Sequence, residues 1–102
     1  MITVIARIYL NADCREKFLK IFKENIPNVR EEAGCISYTP YVDADVAIGL
    51  PIVSNPDLVT VIEEWESIEI LKAHLEAPHM VKYREMVKEL VNHTELSIFA
   101  EA

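Results

Sequence analysis

Hydrophobic and polar positions change their period several times along the chain, and each change marks an element. Ile2, Val4, Ala6, Ile8 and Leu10 alternate with Thr3, Ile5, Arg7 and Tyr9, the two-residue period of a strand. The first set is expected to face a core; the second set is half apolar. Asp13 with Glu16 three residues on approximates a capping box, with Asp13 as N-cap. Phe18, Phe22, Ile26, Val29 and Ala33 follow at helical spacing, which predicts a helix over about 13–32. Pro27 falls inside it and removes one backbone hydrogen bond, so a kink or a tightened last turn is expected there. Gly34 is expected to supply the left-handed C-cap.

From Cys35 to Val42 the chain is rich in β-formers, and Pro40 points to an edge strand or a bulge. Between Asp43 and Asp57 stand two turn signals, Gly49-Leu50-Pro51 and Ser54-Asn55-Pro56-Asp57. A long loop is expected, with room for a short extended segment near Ile52; such loops in small domains are usually functional or mobile. Leu58 to Glu66 reads as a third strand, with Val59, Val61, Glu63 and Trp65 on one face and Leu58, Thr60, Ile62, Glu64 and Glu66 on the other. Ser67 caps the next helix, whose stripe is Ile68, Leu71 and Leu75. Pro78, at a favoured first-turn position, opens another, with Met80, Tyr83, Val87, Leu90 and Val91 spaced by threes and fours. Thr94 to Ala100 alternates again.

The order β-α-β-β-α-α-β predicts an α+β fold, a ferredoxin-like sandwich with a four-stranded antiparallel sheet and helices on one face. Its other face would expose Ile5, Tyr9 and Phe99 beside members of the third strand. An apolar patch of that size marks a partner surface. A second copy packed sheet to sheet is the expected occupant, because twofold dimers are the commonest oligomers.

Composition narrows the possibilities. The chain has 102 residues, 51% of them hydrophobic and 26% charged, with a formal net charge of -7. That is one domain, 1–102, with enough apolar content to exclude disorder. The acidic balance argues against nucleic acid, whose binding depends on cationic groups. The longest uncharged run, Val46 to Pro56, holds two prolines, a glycine and an asparagine and is far short of the roughly 20 apolar residues of a membrane span. Cys14 and Cys35 form no C-x-x-C pair, and no secretory leader is recognised, so reduced thiols and a cytoplasmic setting are expected.

Trp65 and Glu63 share a strand face, which places an indole beside a carboxylate. Glu63 either pairs with a cation such as Arg7 or orients a phenol or enol in a pocket; a carboxylate facing a core is costly unless partnered. His74 and His79 are five apart with Pro78 between them. On a continuous helix they would diverge by about 140°, which argues against a shared metal. A break before Pro78 would allow both imidazoles to approach one cavity. His79, near a helix N-terminus, would have its protonated form disfavoured by the dipole, which suits a neutral base near pH 7; the alternative is a histidine that caps the helix or faces solvent. Tyr38, Tyr41 and Tyr83 are either amphipathic core or pocket liners able to hold a substrate oxygen. His93 reads as a helix C-terminal residue. No dinucleotide fingerprint, P-loop or flavin motif is present.

The segment Glu31-Glu32-Ala33-Gly34-Cys35-Ile36-Ser37-Tyr38, then Glu63-Glu64-Trp65-Glu66-Ser67, then His74 and Pro78-His79, resembles the antibiotic biosynthesis monooxygenase family over nearly the whole chain. The resemblance implies a dimeric α+β barrel. It also implies a small cofactor-independent monooxygenase of a quinol or polyphenol-like substrate, needing neither cofactor nor metal. His79 and His74 are then the catalytic candidates, His79 the leading base, with Trp65, Glu63, Tyr38 and Tyr83 as the substrate pocket. Electrons would come from the deprotonated substrate itself. The alternative is an isomerase or binding module for a small carbonyl metabolite in the same cavity. The connection from Asp43 to Asp57 departs from the tight hairpin more common in the family.

Overall fold

A computed structural model describes residues 1–102. The chain runs β1 (Ile2–Leu10), α1 (Arg15–Arg30), β2 (Cys35–Val42), β3 (Leu58–Trp65), α2 (Ile68–Glu76), α3 (Pro78–Val87) and β4 (Val91–Ala100). The strands form one antiparallel sheet in the order β2-β3-β1-β4. This is the expected ferredoxin-like sandwich.

Alternation in β1 sorts the side chains as its sequence requires: Ile2, Val4, Ala6, Ile8 and Leu10 are buried, and the intervening residues are only partly covered. Val59, Val61, Glu63 and Trp65 line the same inner face of β3. Against that face pack Phe18, Phe22 and Val29 of α1, Leu71 of α2, and Met80, Tyr83 and Val87 of α3. Pro40 lies on the edge strand β2, where a missing N–H is tolerated. No helix is long and apolar enough to cross a membrane.

Several boundaries differ from the sequence expectations, each for a local reason. Asp13 is not the N-cap of α1. It adopts a left-handed backbone, φ 62°, and its N–H donates to Asp57 Oδ1 at 3.3 Å, so it serves the turn that ties the end of β1 to the start of β3. Cys14 occupies the cap without a side-chain hydrogen bond. Helix α3 stops at Val87, and Leu90 and Val91 leave the helical stripe. Val91 pairs with Leu10, while Asn11 N–H donates to the Leu90 carbonyl at 2.9 Å. Strand pairing has overridden helical spacing. His93 therefore lies in β4, stacked on Tyr9 with centroids 4.5 Å apart. No strand forms near Ile52; residues 43–57 are an irregular loop. It is held by Asn55 N–H donating to Asp43 Oδ2 at 2.9 Å and Asp57 N–H donating to Asn55 Oδ1 at 2.9 Å.

Candidate active site

A cavity of about 400 Å³ lies between the inner sheet face and helices α2 and α3, within the range of small-molecule sites. Ala6, Ile8 and Val61 form its floor, and Phe22, Tyr38, Met80 and Tyr83 form its walls. A buried carboxyl, Glu63, and a buried imidazole, His74, reach this largely apolar space. The helices leave the inner side of β4 uncovered, where Leu96 lines the cavity and is 55% exposed. The cavity therefore opens along the β4 edge.

Glu63 sits mid-strand, and the two-residue period of β3 puts Trp65 beside it. The Trp65 indole N–H donates to Glu63 Oε1 at 2.9 Å. Arg7 is not the partner, because it lies on the outer face and donates to Ser97 Oγ at 3.3 Å. One neutral donor does not replace the lost water shell. Burial therefore pushes the Glu63 carboxyl up from 4.5 to about 7, opposed in part by the indole hydrogen bond and aided by the nearby Glu32 carboxylate.

His74 reaches the site because α2 and α3 are separate helices. Ser67 Oγ accepts from Ile70 N–H at 3.2 Å and starts α2. Ala77, restricted by the following proline, breaks the chain at φ -58°, ψ 139°, and Pro78 begins α3. The turn after α1 meets α2 closely. Gly34 holds φ +85°, and a Cβ there would lie 2.7 Å from Ile70 Cγ2, so only glycine permits both the backbone and the approach. That approach brings Glu32 to His74, whose Nδ1–H donates to Glu32 Oε2 at 2.8 Å. Its Nε2 is left bare for a ligand. Burial lowers the His74 pKa, and the Glu32 hydrogen bond offsets only part of this. At rest, with Glu32 accepting, the neutral ring holds its proton on Nδ1.

His79 approaches the same Glu32 oxygen, with Nε2 3.1 Å from Oε2. The approach is out of line for a hydrogen bond, and both of its ring nitrogens are covered and unpartnered. An unpartnered buried polar group costs about 1–3 kcal/mol. The ring does not line the main cavity; it borders an outer depression shared with Asn25, Asn28 and Lys82. The break at Ala77 thus turns both imidazoles toward one carboxylate rather than into one cavity.

Of the residues singled out from the sequence, Glu63, His74, Tyr38 and Tyr83 line the cavity. Trp65 is fully buried behind it, 4.4 Å from His74 between ring centroids, and His79 stands outside. Tyr38 bridges the group, stacked on Phe22 at 5.4 Å and edge-on to His74 at 5.7 Å. Burial raises the pKa of both Tyr38 and Tyr83, which keeps their hydroxyls protonated. Sequence reasoning gave Glu32 no role, because its partners are brought to it by folding. Its only signal was membership in the segment before Gly34. Arg84 and Lys88 also line the cavity.

The family model "Antibiotic biosynthesis monooxygenase" matches residues 1–86. The chain belongs to that family. It is 41% identical over 90 residues to the "Probable quinol monooxygenase YgiN" of Escherichia coli K12, covering 86% of each sequence. Among solved structures, Rv0793 from Mycobacterium tuberculosis superposes with a TM-score of 0.80 at 27% identity, covering 99% of this chain and 94% of that one. A putative antibiotic biosynthesis monooxygenase from Nitrosomonas europaea superposes at 0.84, covering 99% and 98%, with 19% identity, a likeness of fold. In this member of the family Glu63 from the inner sheet face and His74 from α2 meet the same aromatic-walled cavity.

Proposed function

We propose that this chain is a cofactor-independent monooxygenase that oxidises a quinol or polyphenol-like molecule with O2 in the inner cavity. The bare Nε2 of His74, in an apolar aromatic cavity and oriented through Nδ1 by Glu32, carries this reading. His74 takes the base role because it lines the cavity, while His79 supports it from outside. The similarity to a probable quinol monooxygenase supports the choice of substrate class.

His74 accepts the proton of a substrate hydroxyl. The resulting quinolate, held against apolar and aromatic side chains, supplies electrons to O2 directly. One oxygen atom joins a ring carbon, and the other leaves as water once two protons are returned. A hydroquinone and O2 thus give a hydroxyquinone and H2O, with no outside reductant. Glu63, titrating near neutrality, is placed to return a proton to the reduced oxygen. The Tyr38 and Tyr83 hydroxyls remain donors for the substrate oxygens. The working unit in this proposal is a homodimer joined through the outer sheet face, where Ile62 and Phe99 are exposed.

An oxygen electrode run over a hydroquinone panel, with product analysis under 18O2, tests the reaction. The expected result is uptake above autoxidation for at least one substrate, with one labelled atom in the product. Absence of uptake, together with deuterium exchange beside a carbonyl in D2O, would instead support an isomerase using the same pair.

A further inference from the structure

Glu32 is approached by two imidazoles from two sides of the protein wall. His74 belongs to the cavity and donates Nδ1–H to Oε2 at 2.8 Å, and His79 Nε2 lies 3.1 Å from that same oxygen. Glu32 is itself partly exposed, and the His79 side chain is 24% exposed at the outer depression. The cavity is otherwise apolar on this side, closed by Trp65, Tyr38 and Phe22. Through this wall the polar groups that lead outward from His74 are Glu32 and His79.

We infer that His74, Glu32 and His79 form a two-way proton path between the cavity and the outer depression. The inference rests on the proposed proton removal by His74. Outward, substrate O–H gives its proton to His74 Nε2, and the Nδ1 proton passes to Glu32 Oε2. Glu32 then gives its proton to His79 Nε2, and a ring nitrogen of His79 releases one to water. No electron moves. His74 is left as the Nε2–H tautomer, and the reverse sequence returns the proton when water is formed. The net reaction neither gains nor loses protons, so a reversible path suffices.

The unpartnered state of His79 fits this role. A ring locked in hydrogen bonds would hold its proton, whereas neither nitrogen of His79 is held in one, and the relay requires the ring to turn between Glu32 and the outer depression. Glu32 and His79 are thus relay and positioning residues, and neither touches substrate.

Glu32→Gln separates a relay from a simple prop, since an amide oxygen still accepts from His74 Nδ1–H but the side chain cannot take up and pass on a proton. Oxygen uptake with 1,4-naphthohydroquinone is measured at low buffer concentration for the wild type, Glu32→Gln and His79→Ala, with and without added imidazole. The expected result is a tenfold or greater fall in kcat for both variants on the order of a lost acid–base step, with imidazole restoring His79→Ala but not Glu32→Gln. Near wild-type kcat in Glu32→Gln, or no rescue of His79→Ala, overturns the relay.

If the wild type consumes no oxygen with any hydroquinone, the proposed reaction fails and the relay is judged by 15N-histidine NMR titration. Groups facing the pair are Cys35 from β2, Glu63 from β3 and Arg84 from α3, with Glu24 and Lys82 bordering His79. Shared protons give His74 and His79 coupled, two-step titration curves that separate in Glu32→Gln. Independent single-step curves in the wild type overturn the relay.

Discussion

Two residues apart along β3, Glu63 is 6% exposed and Trp65 is fully buried, while Ile62 and Glu64 between and beside them belong to the other face. Inside, Glu63 has one hydrogen bond, from an indole, and its carboxyl is driven up to about 7. Outside, Glu64 accepts from Ser37 Oγ at 3.0 Å in reach of water, while Ile62 and Phe99 stay exposed. The sheet thus holds a costly buried carboxylate on its inner face, and uncovered apolar groups on its outer one. Fold stability alone explains neither. In the proposed reading the inner cost belongs to the chemistry and the outer exposure to the dimer surface.

The largest way to break this contrast is Trp65→Ala. It leaves a void on the inner face at the C-terminal end of β3 and strips Glu63 of its donor, and it is expected to cost about 3–5 kcal/mol, read by urea denaturation.

Next in size is Glu63→Gln, which keeps the acceptor for Trp65 and removes the charge. The folded pKa of Glu63 is raised, so its stabilising contribution is present below 4.5 and is lost as pH rises through about 7. Summed over that window the loss is about 3 kcal/mol. The variant should therefore gain on the wild type by about that much at pH 8 and match it near pH 4 in denaturation curves. His74 contributes with the opposite sign. Its folded pKa is lowered, so its contribution is present above 6.5 and declines as pH falls through the folded value.

The smallest effect on the chain itself is expected outside. Ile62→Asp should change monomer stability by no more than about 0.5 kcal/mol yet convert a dimer to monomers in sedimentation. A monomeric wild type would remove the meaning given to the outer face.

Period-two alternation made both faces of β1 and β3 legible before folding, and with them the Glu63–Trp65 pair, because partners two apart in a strand are neighbours by geometry alone. Ser67 and Pro78 likewise marked helix starts through local chemistry. Asp13 and Leu90 misled because contacts distant in sequence, with Asp57 and Asn11, decided their conformation. The site was half legible for the same reason. His74 and His79 stood out as residues, but Glu32 lies 42 positions from His74, and only the packing of the Gly34 turn on Ile70 joins them. Which histidine borders the cavity is likewise a consequence of the break at Ala77, visible in sequence only as Pro78.

The account depends most on His74 as the base of the inner cavity. Oxygen uptake with 1,4-naphthohydroquinone by His74→Gln, a side chain that can still bond Glu32 but cannot serve as a base, tests it directly. A fall in kcat of about 10²-fold or more, with an unchanged denaturation midpoint, is the predicted result; a rate within about threefold of wild type would contradict it.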